Sequence, residues 1–229
     1  MNSKTSRRVL LVTSGVVLMM VIPPRSLPAQ SHPGTRSVSA MFINIDGIND
    51  FPRLTSAQAG VKFDIDGDGD LEQVAWTEPN AMVALLALDV NGDGSITSGK
   101  ELFGSHMVPE AGNGPNALLH VSDASGAAPS GAVSQGHPLY ERILLWVDRN
   151  HDGVSEPGEL RFAKEVLTAI GMGFVRESRQ DEHGNRATFK GWAEVRTGDS
   201  EQRQSTEPRD HQQRLRHYYE VLLALEGDR

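Results

Sequence analysis

The 229 residues contain no cysteine. That excludes a disulfide scaffold, a thiolate nucleophile and a cysteine-ligated zinc ribbon. Aromatic residues are scarce, at 6%, so Trp76, Trp146 and Trp192 are expected as core anchors, where large rings gain most from burial. Basic residues are outnumbered 22 to 30, for a formal charge of −8. General nucleic-acid binding needs cations that neutralise phosphates, and this balance argues against it. No His-Glu-x-x-His and no Gly-x-Ser-x-Gly occurs, so two common hydrolase signatures are missing. What is present, 38% hydrophobic and 23% charged residues, fits a soluble, polar-leaning protein.

The amino terminus reads as an export signal. Lys4, Arg7 and Arg8 precede the apolar run Val9–Ile22, Pro23-Pro24 breaks it, and Leu27-Pro28-Ala29 offers a cleavage point before Gln30. A basic start, a short apolar run and a small residue at the cut describe a secretory signal peptide over residues 1–29. The run is too short to span a bilayer comfortably, so no membrane span is expected after cleavage. Ser6-Arg7-Arg8-Val9-Leu10-Leu11 also fits a twin-arginine signal, and the general and twin-arginine routes both stay open. Cleavage removes four basic residues and no acid, leaving 18 basic and 30 acidic residues, a balance of −12. The expected location is secreted or periplasmic. With no disulfide there, some other staple is expected.

Along the rest of the chain, residues 30–40 form a polar leader and 41–229 a single module. Residues 104–136, rich in Gly, Ala, Pro and Ser, read as a long flexible insert. Leu160, Ala163, Val166, Leu167 and Ile170 fall at helical spacing after Ser155 as a candidate cap. Val175–Arg179 and Arg186–Val195 flank a turn at 181–185 and read as a β-hairpin. Residues 197–214 are too polar to pack. His217–Leu225 fits a strand or a helix. These signals add up to an α+β fold of short strands and one or two short helices, with that hairpin toward the carboxyl end.

The chemistry lies in three Asp/Gly clusters of one pattern: acid, x, acid or amide, x, acid, Gly. They are Asp64-Ile-Asp66-Gly-Asp68-Gly69, Asp89-Val-Asn91-Gly-Asp93-Gly94 and Asp148-Arg-Asn150-His-Asp152-Gly153. Alternate side-chain oxygens turn toward the centre of a tight loop, the glycine permits the turn, a position-seven carbonyl adds an oxygen, and a late carboxylate closes the shell. An all-oxygen cage suits Ca²⁺ and suits Zn²⁺ poorly. Chance yields roughly 0.02 such hexads in a chain of this length.

The candidate ligands are Asp64, Asp66, Asp68, Asp70 and Glu72 in loop one; Asp89, Asn91, Asp93, Ser95, Thr97 and Glu101 in loop two; and Asp148, Asn150, Asp152, Val154, Glu156 and Glu159 in loop three. Ligand count ranks loop three first, because Glu159 holds position 12. Glu101 stands at position 13 of its loop. Loop one has Ala75 at position 12 and Glu72 at position nine. Asp123-Ala-Ser125-Gly126 reads either as an eroded fourth loop or as an ordinary turn. His151, at position four of loop three, is expected to point into solvent.

These phrases resemble the secreted bacterial EF-hand-loop calcium-binding proteins, including modules that accompany haemolysin-type (RTX) repeats. The likeness covers about 41–195, and the phrase from Leu145-Trp146-Val147-Asp148 to Glu159-Leu160 is the most specific. Residues 123–137 depart from the acid-rich loop such proteins carry before that phrase, and Asn44-Ile-Asp46-Gly47 lacks most of its acids. The resemblance implies Ca²⁺ as the bound ion and implies no catalytic activity.

The expected function is extracytoplasmic calcium binding that orders the module, with a protein or cell-surface partner in view. One rival is a dockerin-like module in which calcium only props up a protein-binding face. The unlike sequences after the three loops count against it. A calcium-dependent enzyme is the other rival. Its spare groups, Glu177, Asp181, Glu182 and His183, surround a turn without visible convergence, and no catalytic residue is assigned.

Overall fold

The computed structural model describes residues 37–46, 50–127, 130–196 and 215–227. The signal segment, most of the polar leader and residues 197–214 lie outside the described residues. In chain order the strands and helices are β1 (Ser39–Asn44), β2 (Val61–Phe63), β3 (Glu72–Val74), β4 (Val83–Ala87), α1 (Gly114–Ala124), β5 (Ala132–Ser134), β6 (Leu144–Trp146), β7 (Leu160–Phe162), α2 (Ala163–Val166), β8 (Leu167–Arg176), β9 (Arg186–Val195) and β10 (Leu215–Leu222). Eight strands form one curled antiparallel sheet in the order β5-β8-β9-β10-β1-β4-β6-β7, and β2 and β3 form a separate hairpin.

The sheet has apolar cover on both faces, and the central strands show why. In β1, Ala40 and Phe42 enter one core while Met41 and Ile43 enter the other. In β4, Val83, Leu85 and Ala87 alternate with Ala84 and Leu86 in the same way. Successive side chains of a strand point to opposite faces, so a continuous apolar run marks a strand buried on both. The β2–β3 hairpin covers the first face with Val61, Phe63, Val74 and Trp76. Ala117 and Leu118 of α1 cover the second.

The expected α+β class is not what forms. Among the described residues the fold is mostly β, 37% strand against 15% helix. The stretch read as a helix over 159–170 is strand β7, the single turn α2 and the start of β8. Pairing explains the outcome: β8 lies between β5 and β9. Thr168, Ile170, Phe174 and Val175 suit a pleated surface better than a helix. Conversely, the stretch read as a flexible insert contains α1, whose Asn113 side chain accepts the Asn116 N–H at 2.9 Å, and β5. Of residues 217–225, which fit a strand or a helix, those up to Leu222 belong to strand β10, between β9 and β1.

Candidate metal centre

The three Asp/Gly clusters occupy three connections: loop one turns β2 into β3, loop two follows β4, and loop three joins β6 to β7. All three share one backbone. Positions four and six are left-handed throughout: Gly67 and Gly69 (φ 74 and 96), Gly92 and Gly94 (φ 78 and 83), His151 and Gly153 (φ 60 and 73). The position-six amide donates to Oδ2 of the leading aspartate, at 3.2 Å to Asp64, 2.9 Å to Asp89 and 2.9 Å to Asp148. The position-seven amides of Asp70, Ser95 and Val154 donate to Asp68, Asp93 and Asp152 at 2.9, 2.8 and 2.8 Å. Short acid side chains bonding the backbone two residues on make such turns locally, and this local preference is why the spacing was readable.

Each loop is also closed in the same manner. A glutamate reaches back to the amide of position two: Ile65 N–H to Glu72 at 3.2 Å, Val90 N–H to Glu101 at 3.4 Å and Arg149 N–H to Glu159 at 2.7 Å. The closing residue stands at position 9, 13 or 12 because the element that follows differs. Glu72 opens β3, Glu101 ends a 3-10 turn (Gly99–Glu101), and Glu159 directly precedes β7. Position 12 of loop one, Ala75, is buried in the core.

The loops differ in what their carboxylates meet. Asp64, Asp66 and Glu72 bring oxygens within 4.8 Å of one another, the one such acidic trio found among the described residues. Asp64 Oδ1 is buried and has no hydrogen-bond partner. A buried carboxylate oxygen without a donor is costly, and a cation among three carboxylates removes that cost. Oxygen donors alone, without sulfur or imidazole, fit a hard ion such as Ca²⁺.

In loop three the acids are already satisfied. Asp148 is fully buried and accepts from the amides of His151 and Gly153 at 2.6 and 2.9 Å and from the Trp76 indole at 2.8 Å. Glu159 accepts the Trp146 indole N–H at 3.3 Å besides the Arg149 amide. The two indoles and Phe63 pack together with ring centroids 5.2 to 5.7 Å apart. The core therefore grips both ends of this loop. Asn150 donates to Asp152 and Glu156 at 2.9 and 3.1 Å. In loop two, Asn91 donates to Asp93 at 2.9 Å, and Thr97 Oγ1 donates to Glu101 at 3.1 Å. Ligand count favours loop three; geometry puts the convergent acids in loop one. Of the position-seven residues, only the backbone carbonyl can serve in Val154, whose side chain is 57% exposed.

His151 is not directed into solvent. Its Nδ1 lies 2.7 Å from the Thr77 carbonyl and its Nε2 2.8 Å from the Ala59 carbonyl, so loop three is clipped to the segments flanking the β2–β3 hairpin. Asp123 belongs to the last turn of α1, and Gly126 (φ 75) donates to its carbonyl at 3.1 Å. Residues 123–126 are the carboxyl end of that helix. Asp181 accepts from the amides of His183 and Asn185 at 2.9 Å each and shapes a turn. Ser122 and His137 form a buried pair at 2.8 Å, but Nδ1 of His137 accepts the Leu139 N–H. Nε2 therefore carries the proton and donates to the serine, the wrong tautomer for a general base.

No helix among the described residues is long and apolar enough to cross a membrane. The chain is 27% identical over 155 residues to the iron-regulated protein FrpA of Neisseria meningitidis serogroup C, a match covering 66% of this chain and 14% of that protein. The chain thus aligns with only a small part of that relative. The SPM domain model matches residues 42–207, from β1 past the end of β9 and across all three loops, and the chain belongs to the SPM domain family.

Proposed function

We propose that this SPM domain is an extracytoplasmic calcium-binding module and that the ion orders its loops. The observation that carries the reading is the trio Asp64, Asp66 and Glu72, converging beside the buried, unpartnered Asp64 Oδ1. The repeated loop backbone supports it. So does the closing glutamate of each loop, since a late carboxylate completes an oxygen shell. Loop one takes the ion on which stability depends most. Loops two and three offer Asp89, Asp93 and Glu101, and Asp148, Asp152, Glu156 and Glu159. The ion's role is structural, and no reaction is assigned to it. The export signal read at residues 1–29 sets the compartment, where calcium is abundant; extracellular modules bind at about 10⁻⁴ to 10⁻³ M.

Thermal unfolding of the full chain with calcium and with a chelator tests the proposal. One site filled at 100 times its dissociation constant stabilises by about 2.7 kcal/mol, so the midpoint should rise with calcium. An unchanged midpoint overturns the reading.

A further inference from the structure

The three loops are joined end to end, and the joint between loops one and two has an unusual form. The turn Gly99–Glu101, which delivers the closing carboxylate of loop two, sits directly on the backbone of loop one. Gly99 N–H donates to the Asp64 carbonyl at 2.8 Å. A Cβ at Gly99 would lie 1.8 Å from the Ile65 carbonyl oxygen, so only glycine permits this approach. The next residue, Lys100, donates from Nζ to the Gly67 carbonyl at position four of loop one, and its aliphatic stem packs over Gly67. Glu101 then turns the other way, to the Val90 amide and Thr97 of loop two.

Resting on the calcium reading above, we propose that Gly99–Glu101 couples the two loops, so that an ion in loop one positions Glu101 and tightens loop two. The physical reason is geometric. Asp64 supplies a carboxylate to loop one and its own carbonyl to Gly99. Gly67 anchors the Lys100 ammonium two residues from the carbonyl of Ile65. An ion that fixes Asp64 and Asp66 fixes the seat of the turn, and the turn carries Glu101 as a rigid extension. Without that ion, Asp64 Oδ1 has no partner, the clustered carboxylates repel, and the seat loosens. Loop two lacks such a trio of convergent acids, so its affinity depends on Glu101 being held in place. Coupling free energies between linked sites correspond to about 5- to 150-fold in affinity.

The amides of Gly69, Gly94 and Gly153 each bond the leading aspartate of their own loop, so their ¹⁵N shifts report the loops separately during a calcium titration of the full chain. Glu72→Gln removes a loop-one acid. Lys100→Met keeps the stem over Gly67 and removes the donor, at an exposed position. Glu72→Gln is expected to raise the Gly94 midpoint about fivefold or more. In a Lys100→Met background, adding Glu72→Gln should move it far less. Asp66→Asn repeats the loop-one lesion should Glu72→Gln fail to fold. A Gly94 midpoint indifferent to both loop-one changes overturns the coupling. A shift that persists undiminished with Lys100→Met overturns this turn as the route. Amides that ignore calcium altogether in the unaltered protein overturn the calcium reading itself.

Discussion

The Ser155 hydroxyl engages both backbone groups of Ile96, accepting its N–H at 2.6 Å and donating to its C=O at 3.2 Å. Ser155 is the eighth residue of loop three and Ile96 the eighth of loop two. The side chain of one loop thereby closes the backbone of the other. Both residues are buried, so water cannot replace the bond. Ser155→Ala should destabilise the fold by about 1–3 kcal/mol, the cost of a buried amide left without an acceptor. Urea denaturation measures it, and a change within about 0.5 kcal/mol, ordinary for a surface site, would deny the contact its role.

Loops one and three should respond in opposite ways to loss of their leading aspartate. In chelator, Asp148→Ala strips the acceptor from three loop amides, those of His151, Asp152 and Gly153, and from the Trp76 indole, and should cost about 3 kcal/mol or more. Asp64→Asn in chelator relieves repulsion and should cost under about 1 kcal/mol. In calcium the Asp64→Asn protein should lose most of the ion's stabilising effect. Paired denaturation curves with and without calcium separate the two behaviours.

Glu220 makes a different kind of anchor. It is buried, and its carboxylate accepts from the Ser39 hydroxyl at 2.7 Å, the Gly114 amide at 2.8 Å and the Thr188 hydroxyl at 2.9 Å. It ties β1, β9 and the first residue of α1 to β10. Glu220→Ala should cost about 3 kcal/mol because three donors lose their acceptor. Glu220→Gln keeps one acceptor oxygen and should cost less. Equal losses for the two, read from urea midpoints, would mean that packing rather than hydrogen bonding matters there.

Acid should weaken the protein partly through His217. Burial lowers its affinity for a proton, the Lys190 ammonium adds to that, and Glu177 opposes it. The folded-state value thus lies below the ordinary 6.5. The contribution is fully present above the unfolded value and is lost as pH falls through the folded one, because the unfolded chain binds the proton first. Burial shifts His106 in the same direction. Stability measured from pH 7.5 down to 5.5 should fall less steeply in His217→Gln; an identical slope would remove His217 from the explanation.

The loops were legible because their geometry is local: a carboxylate bonding an amide two residues on needs no other part of the chain. The closing acids were less so, since Glu72 and Glu101 depend on where the next element begins. The joints left no trace in spacing. Ser155 lies 59 residues from Ile96, and Asp148 lies 72 from Trp76. The fold was misread where composition and period competed with pairing. Asn113-Gly114-Pro115 carried a helix-start signal, an amide cap with proline in the first turn, inside a stretch judged by its Gly, Ala and Ser content. The helical spacing of Leu160 to Ile170 was overridden by β8 pairing with β5 and β9. Chance periodicity over ten residues is weaker than two rows of sheet hydrogen bonds.

Calorimetric titration of the full chain with calcium, set beside Glu72→Gln and beside magnesium, tests the central claim most directly. Loop one as a calcium site requires saturable heat with calcium, weaker binding of magnesium because that ion demands near-octahedral geometry and keeps its water, and loss of the tightest phase in Glu72→Gln. No calcium heat, equal affinity for the two ions, or a tightest phase untouched by Glu72→Gln would contradict it.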